Sequence, residues 1–154
     1  MSSYRGDSAQ IAVLGSGVAG AATAYALSRR GARVSIIDEA RTGQATAAGA
    51  GIIAPWTSSA DGPFYDLYAA GAAYYPQVVD ELAERGLEIG YRRTGALVVA
   101  EDGDTLDEVW QRTLARRPAA PEMGELHRIT AAEASTMFPP LRRDLSGIYV
   151  SDGA

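Results

Sequence analysis

Cysteine and lysine are both absent from this chain of 154 residues. The first absence excludes disulfides, thiolate metal sites, a thiol nucleophile and a cysteinyl link to a cofactor. The second excludes a phosphate-loop lysine, a Schiff-base lysine and pyridoxal chemistry, since all 14 basic residues are arginine. Histidine occurs once, as His127, so a histidine-based metal site lacks ligands. Within Glu125-Leu-His-Arg-Ile129 it reads as a partly exposed linker residue. Acidic side chains outnumber basic ones for a net charge of -5, which argues against nucleic acid as a partner. The acidic turn Glu101-Asp-Gly-Asp104 lacks the spacing of a calcium loop. A long uninterrupted apolar run is also missing. Residues 11–27 are apolar but broken by glycines, and Asp7 weakens the positive flank that export needs, so neither a signal peptide nor a membrane span is expected. The expected location is the cytoplasm.

Glycine and alanine are plentiful, and the glycines near the start are ordered. Gln10-Ile-Ala-Val-Leu14 reads as a short buried strand, followed by Gly15-Ser-Gly17-Val18-Ala19-Gly20 and a helix with Ala24 and Leu27 at helical spacing on the sheet side. Gly31 closes that helix. Val34, Ile36 and Ile37 form a second strand that ends in Asp38. This is a strand–turn–helix–strand nucleotide unit. Gly15 makes the turn, Gly17 lets a pyrophosphate approach the backbone, and Gly20 lets the helix press on the sheet. The first helical N–H groups, at Val18 and Ala19, face the phosphates with the positive end of the helix dipole. Asp38, followed by Glu39, is placed to accept the hydroxyls of a ribose. The unit fits either an FAD or an NAD dinucleotide.

From Arg41 to Trp56 the chain is dense in Gly, Ala and Thr and ends on Ile52, Ile53 and Pro55, a composition suited to a loop lying against a ligand. A long helix is predicted over residues 61–85, with Asp61 as N-cap and Pro63 in the first turn. Phe64, Leu67, Tyr68, Gly71, Tyr75, Val78 and Leu82 are its core stripe, and Pro76 kinks or splits it. Leu87, Ile89 and Tyr91 alternate as a strand, and Thr94–Ala100 as another. Thr105 with Glu108, and Thr130 with Glu133, read as capping boxes for two further helices. Gly147-Ile-Tyr-Val150 is the last strand.

Residues 10–55 resemble the N-terminus of the FAD-dependent D-amino-acid oxidase superfamily, which includes glycine oxidase, sarcosine oxidase and bacterial D-amino-acid dehydrogenase. Gly15, Gly17, Gly20, Ala24, Leu27, Gly31, Val34 and Asp38 match its first block. Thr46-Ala-Ala-Gly-Ala-Gly51-Ile-Ile-Ala-Pro55 is most similar to the glycine-oxidase form of the second, and differs from the dehydrogenase form, which places Asn where Gly49 stands. The resemblance implies an α/β fold, with a Rossmann-type FAD-binding unit and part of an α+β substrate domain, apparently truncated. It implies an FAD-domain portion at 1–60, a connecting helix at 61–85, a partial substrate domain at 86–150, and the start of a return at 151–154. It implies noncovalent FAD held by Gly15, Gly17, Val18, Ala19, Gly20, Asp38 and Glu39, with Arg41, Thr46, Gly51 and Ile52 near the adenine–flavin span. The implied activity is oxidation of the CH–NH group of an amino acid or amine, a small-molecule substrate. The catalytic residues would then lie beyond residue 154, and the first strand would need a partner from the same region. A complementing chain or a homo-oligomer stays open. So do a non-catalytic dinucleotide-binding piece and half of a nicotinamide-dependent dehydrogenase.

Overall fold

Strand, glycine turn, helix and strand form in the expected order. The computed structural model describes residues 10–154, and the chain divides into two compact units between Gly51 and Ile52. In the first unit, β1 (Gln10–Leu14) and β2 (Arg33–Ile37) pair in parallel, with Ile11 opposite Val34 and Val13 opposite Ile36. The helix α1 (Val18–Ser28) connects them, with Ala24 buried. A single helical turn, α2 (Ala45–Ala48), follows within the segment expected to be a ligand-contacting loop.

The strands of this unit are not the buried core their composition suggests. Leu14 is 79% exposed and Ile37 56%, because among the described residues β1 and β2 have only each other as partners. An apolar parallel strand is normally covered on both faces.

The second unit opens with a short 3-10 turn, Pro55–Thr57, and continues with α3 (Gly62–Ala83). Pro76 does not split α3. Its missing N–H forfeits one helical bond, but the helix runs on through Ala83. Asp61 stands at the N-cap position, but its carboxylate makes no capping bond. The predicted core stripe is largely uncovered, with Phe64 69% and Leu67 73% exposed. The helix anchors instead through buried Ala72, through Tyr65 under the Arg116 guanidinium, and through Tyr75 against the Tyr91 ring.

Leu87–Tyr91 is not a strand. Gly86 and Gly90 both turn the chain at positive φ, and the alternation between them has no ladder to join. The next strand, β3, begins only at Ala96 and ends at Ala100. Helix α4 (Gly103–Arg116) starts earlier than the Thr105 box implies. Its cap is Asp102, whose Oδ1 accepts the Thr105 N–H at 2.7 Å, so an aspartate of the acidic turn, three residues before Thr105, takes the role.

His127 lies on a strand, not a linker. Here β4 (Leu126–Ile129) and β3 both flank the central β5 (Ser146–Val150) in antiparallel register. Between β4 and β5 sits α5 (Ala131–Met137), and the expected Thr130–Glu133 capping box is present in both directions. Trp56, Leu106, Val109, Met123, Leu126, Ile148 and Val150 form the core of this unit. At its end Ala154 and Ile53 exchange backbone hydrogen bonds. Among the described residues no helix is long and apolar enough to cross a membrane.

Candidate functional site

The β1–α1 turn is constrained at both Gly15 and Gly20. Gly15 donates its N–H to the Ile37 carbonyl at 2.8 Å, extending the β1–β2 ladder by one step. Its φ of +97° then swings the chain toward α1, a conformation that side-chain-bearing residues avoid. At Gly20 the reason is space. A Cβ there would lie 2.0 Å from the Gly15 carbonyl oxygen. The helix can therefore approach the strand only because position 20 is bare.

Asp38 folds back over this turn. Its Oδ2 accepts the Ser16 N–H at 2.6 Å and its Oδ1 the Ala40 N–H at 2.6 Å. These backbone bonds, first from Ser16 and then from Ala40, hold its carboxyl below the ordinary value of 3.8, so at neutral pH it is an acceptor only. The bond to Ala40 also steadies a non-glycine residue at φ +51°. Gln44 Nε2 reaches Oδ1 at 3.4 Å, a long contact. A carboxylate has about four acceptor positions. Two strong bonds leave room for two ribose hydroxyls if the Gln44 amide yields.

Thr46 comes to the other side of the turn. Its Oγ1 accepts the Val18 N–H at 3.0 Å, capping the first turn of α1 from the second glycine-rich block. A Cβ on Gly17 would sit 3.1 Å from the same oxygen. The N–H groups of Ala19 and Gly20, in the first helical turn, have no intrahelical acceptor and remain suited to an anion.

The other predicted residues are less involved. Glu39 and Arg41 pair with each other at 2.7 Å on the surface, an exposed contact of small worth. Gly51 is the last residue of the first unit, at φ +70° and with open space around it, while Ile52 begins the second unit and is 68% exposed. Ser16 and Gln44 escaped the sequence reading. Ser16 is the unspecified position between two motif glycines, and only the returning Asp38 gives its N–H a role.

The residues present fit the adenine–diphosphate part of a dinucleotide. A bare turn, unpaired helix N–H groups, an ionised carboxylate and a second-block hydroxyl gather at one helix N-terminus. In the second unit, His127 Nε2 lies 3.0 Å from Glu125 Oε2, both exposed. Among the described residues no cluster of three or more His, Asp or Glu could hold a metal.

Residues 10–154 match the family model described as DAO: FAD dependent oxidoreductase. The uncharacterized oxidoreductase YurR of Bacillus subtilis (strain 168) is 39% identical over 92% of this chain and 39% of its own length. Glycine oxidase of Geobacillus kaustophilus (strain HTA426) is 30% identical over 85% of this chain and 35% of its own. The crystal structure of iminodiacetate oxidase from Chelativorans sp. BNC1 superimposes with a TM-score of 0.86 at 48% identity, covering 92% of this chain and 39% of that one. The chain thus spans less than two-fifths of the length of these relatives, the N-terminal part.

Proposed function

This chain belongs to the DAO family of FAD dependent oxidoreductases, and we propose that it forms the adenine–diphosphate end of a noncovalent FAD site in a flavoenzyme that oxidises the CH–NH group of an amino acid or amine. The observation that carries this reading is the convergence of Asp38, from the end of β2, and Thr46, from the second glycine-rich segment, on the N-terminus of α1. FAD, when bound, would accept the hydride removed from the substrate carbon, and the cofactor itself carries that step. The chain's own residues bind and orient. Gly15 and Gly20 shape the turn, the Ala19 and Gly20 N–H groups meet the diphosphate, and Asp38 accepts the ribose hydroxyls. With no cysteine in the chain, nothing here supplies a cysteinyl tether.

The proposed substrate class rests on two of the relatives named above, the oxidases of glycine and of iminodiacetate. Both are small amines bearing carboxylate. The test is anaerobic mixing of the FAD-loaded protein that carries this chain with glycine, sarcosine, iminodiacetate and D-amino acids. Loss of the visible flavin absorption with one of these amines is the expected result. Bleaching by NADH alone, with every amine inert, would overturn the proposal in favour of a nicotinamide-linked enzyme.

A further inference from the structure

The motif reading assigns Gly17 to the cofactor, as the residue that lets a pyrophosphate come near, and Val18 as a direct phosphate donor. The geometry points to a different division of labour. We propose that Thr46, not the phosphate, is the partner of the Val18 N–H, and that position 17 is glycine chiefly to admit Thr46. The inference rests on the FAD reading above and deepens it.

Two distances carry it. Thr46 Oγ1 takes the Val18 N–H at 3.0 Å, which removes that donor from the set available to an anion. The same oxygen would stand 3.1 Å from a Cβ at position 17, closer than carbon and oxygen ordinarily rest. Thr46 could relieve that contact by giving a few tenths of an ångström, which would lengthen and weaken its bond to Val18, so the two positions are coupled through one hydroxyl. A hydroxyl that accepts a bond still has its own hydrogen to donate. Thr46 therefore relays the helix end to a phosphate oxygen, acting as a positioning residue that ties the second glycine-rich block to α1. Under the alternative, phosphate displaces Thr46 and takes the Val18 N–H itself.

The two accounts differ in sign. On the relay account Thr46→Ala weakens FAD binding by about tenfold, the scale of one lost charge-assisted hydrogen bond. Thr46→Ser, which keeps the hydroxyl, stays within about twofold. Gly17→Ala weakens binding on its own, yet adds nothing once Thr46 is already alanine, the mark of two residues acting through one contact. Equal or tighter binding by Thr46→Ala, or fully additive losses in the double variant, would overturn the proposal.

A readout without cofactor separates this inference from the FAD reading. Hydrogen exchange at the Val18 amide of the cofactor-free protein should be slowed in the parent and in Thr46→Ser, and fast in Thr46→Ala. A folded parent that never takes up FAD would refute the FAD reading and leave the cap to be judged on exchange alone. Identical Val18 exchange in all three proteins would refute the cap whatever FAD does.

Discussion

Gly20→Ala is expected to abolish FAD retention. The added methyl would meet the Gly15 carbonyl oxygen at 2.0 Å and its carbon at 2.9 Å, and both belong to backbone held by the bond to Ile37. Neither can move without breaking the β1–β2 ladder or lifting α1 off the sheet. Overpacking of ordinary side chains costs about 1–3 kcal/mol, and a clash against fixed backbone stands at or above the top of that range. The first unit has little with which to absorb it, since Ala24 is the one buried apolar side chain described there. Gly71→Ala is the matched control. It adds the same methyl to a helix with nothing within 4 Å and should stabilise α3 by about 1 kcal/mol. Desalting each variant after incubation with FAD and reading the flavin absorption decides the matter. A Gly20→Ala protein that keeps its flavin would mean that α1 does not need its close approach.

Trp56→Ala should be the most destabilising single change in the second unit, by about 3–5 kcal/mol. The indole is 2% exposed, in the core with Met123, Ile148 and Val150. Its own carbonyl accepts Arg116 Nη1 at 2.9 Å, and the same guanidinium takes the Ser58 carbonyl at 2.9 Å and the Ala60 carbonyl as well. Arg116 also lies 3.7 Å above the Tyr65 ring, and Arg112 and Thr113 of the same helix add longer bonds to the Thr57 and Trp56 carbonyls, so the segment from Trp56 to Ala60 is held by α4, chiefly through Arg116. Emptying the Trp56 site leaves a cavity beneath that clamp. The indole Nε1 has no hydrogen-bond partner among the described residues, so Trp56→Phe forfeits no polar contact and should cost far less. Urea unfolding of both variants is the check. Equal losses for Ala and Phe would place the contribution of Trp56 in something other than packed volume.

The βαβ unit could be read from residues 10–38 because its signals are local. A turn glycine, a packing glycine and a terminal acid stand at spacings set by backbone geometry alone. What Asp38 touches could not be read that way. Its bond to Ser16 depends on the parallel register that brings Ile37 beside Gly15, a pairing of residues about twenty positions apart. The same holds for Thr46, recognisable as part of a second block but not as the cap of a helix that begins 28 positions earlier.

Elsewhere, pairing partners and covering surfaces decide what local pattern does not. Leu87–Tyr91 alternates like a strand without a neighbour to pair with, whereas Leu126–Ile129 carries two polar residues in four and is a strand because β5 runs beside it. The α3 stripe at Phe64, Leu67 and Tyr68 has the period of a buried face, yet periodicity reports only which residues share a side. Whether that side is covered depends on what else is present. The exposed side chains of β1 and β2 teach the same lesson in the first unit.

The measurement that tests the central claim most directly is the ultraviolet–visible spectrum of this chain after incubation with excess FAD and desalting, beside a parallel incubation with NAD whose retention is read from the ultraviolet adenine band. A flavin band that survives desalting with shifted fine structure, and is lost in Gly20→Ala, is the predicted result. A folded, monodisperse protein that emerges colourless, or that retains NAD instead, would contradict it.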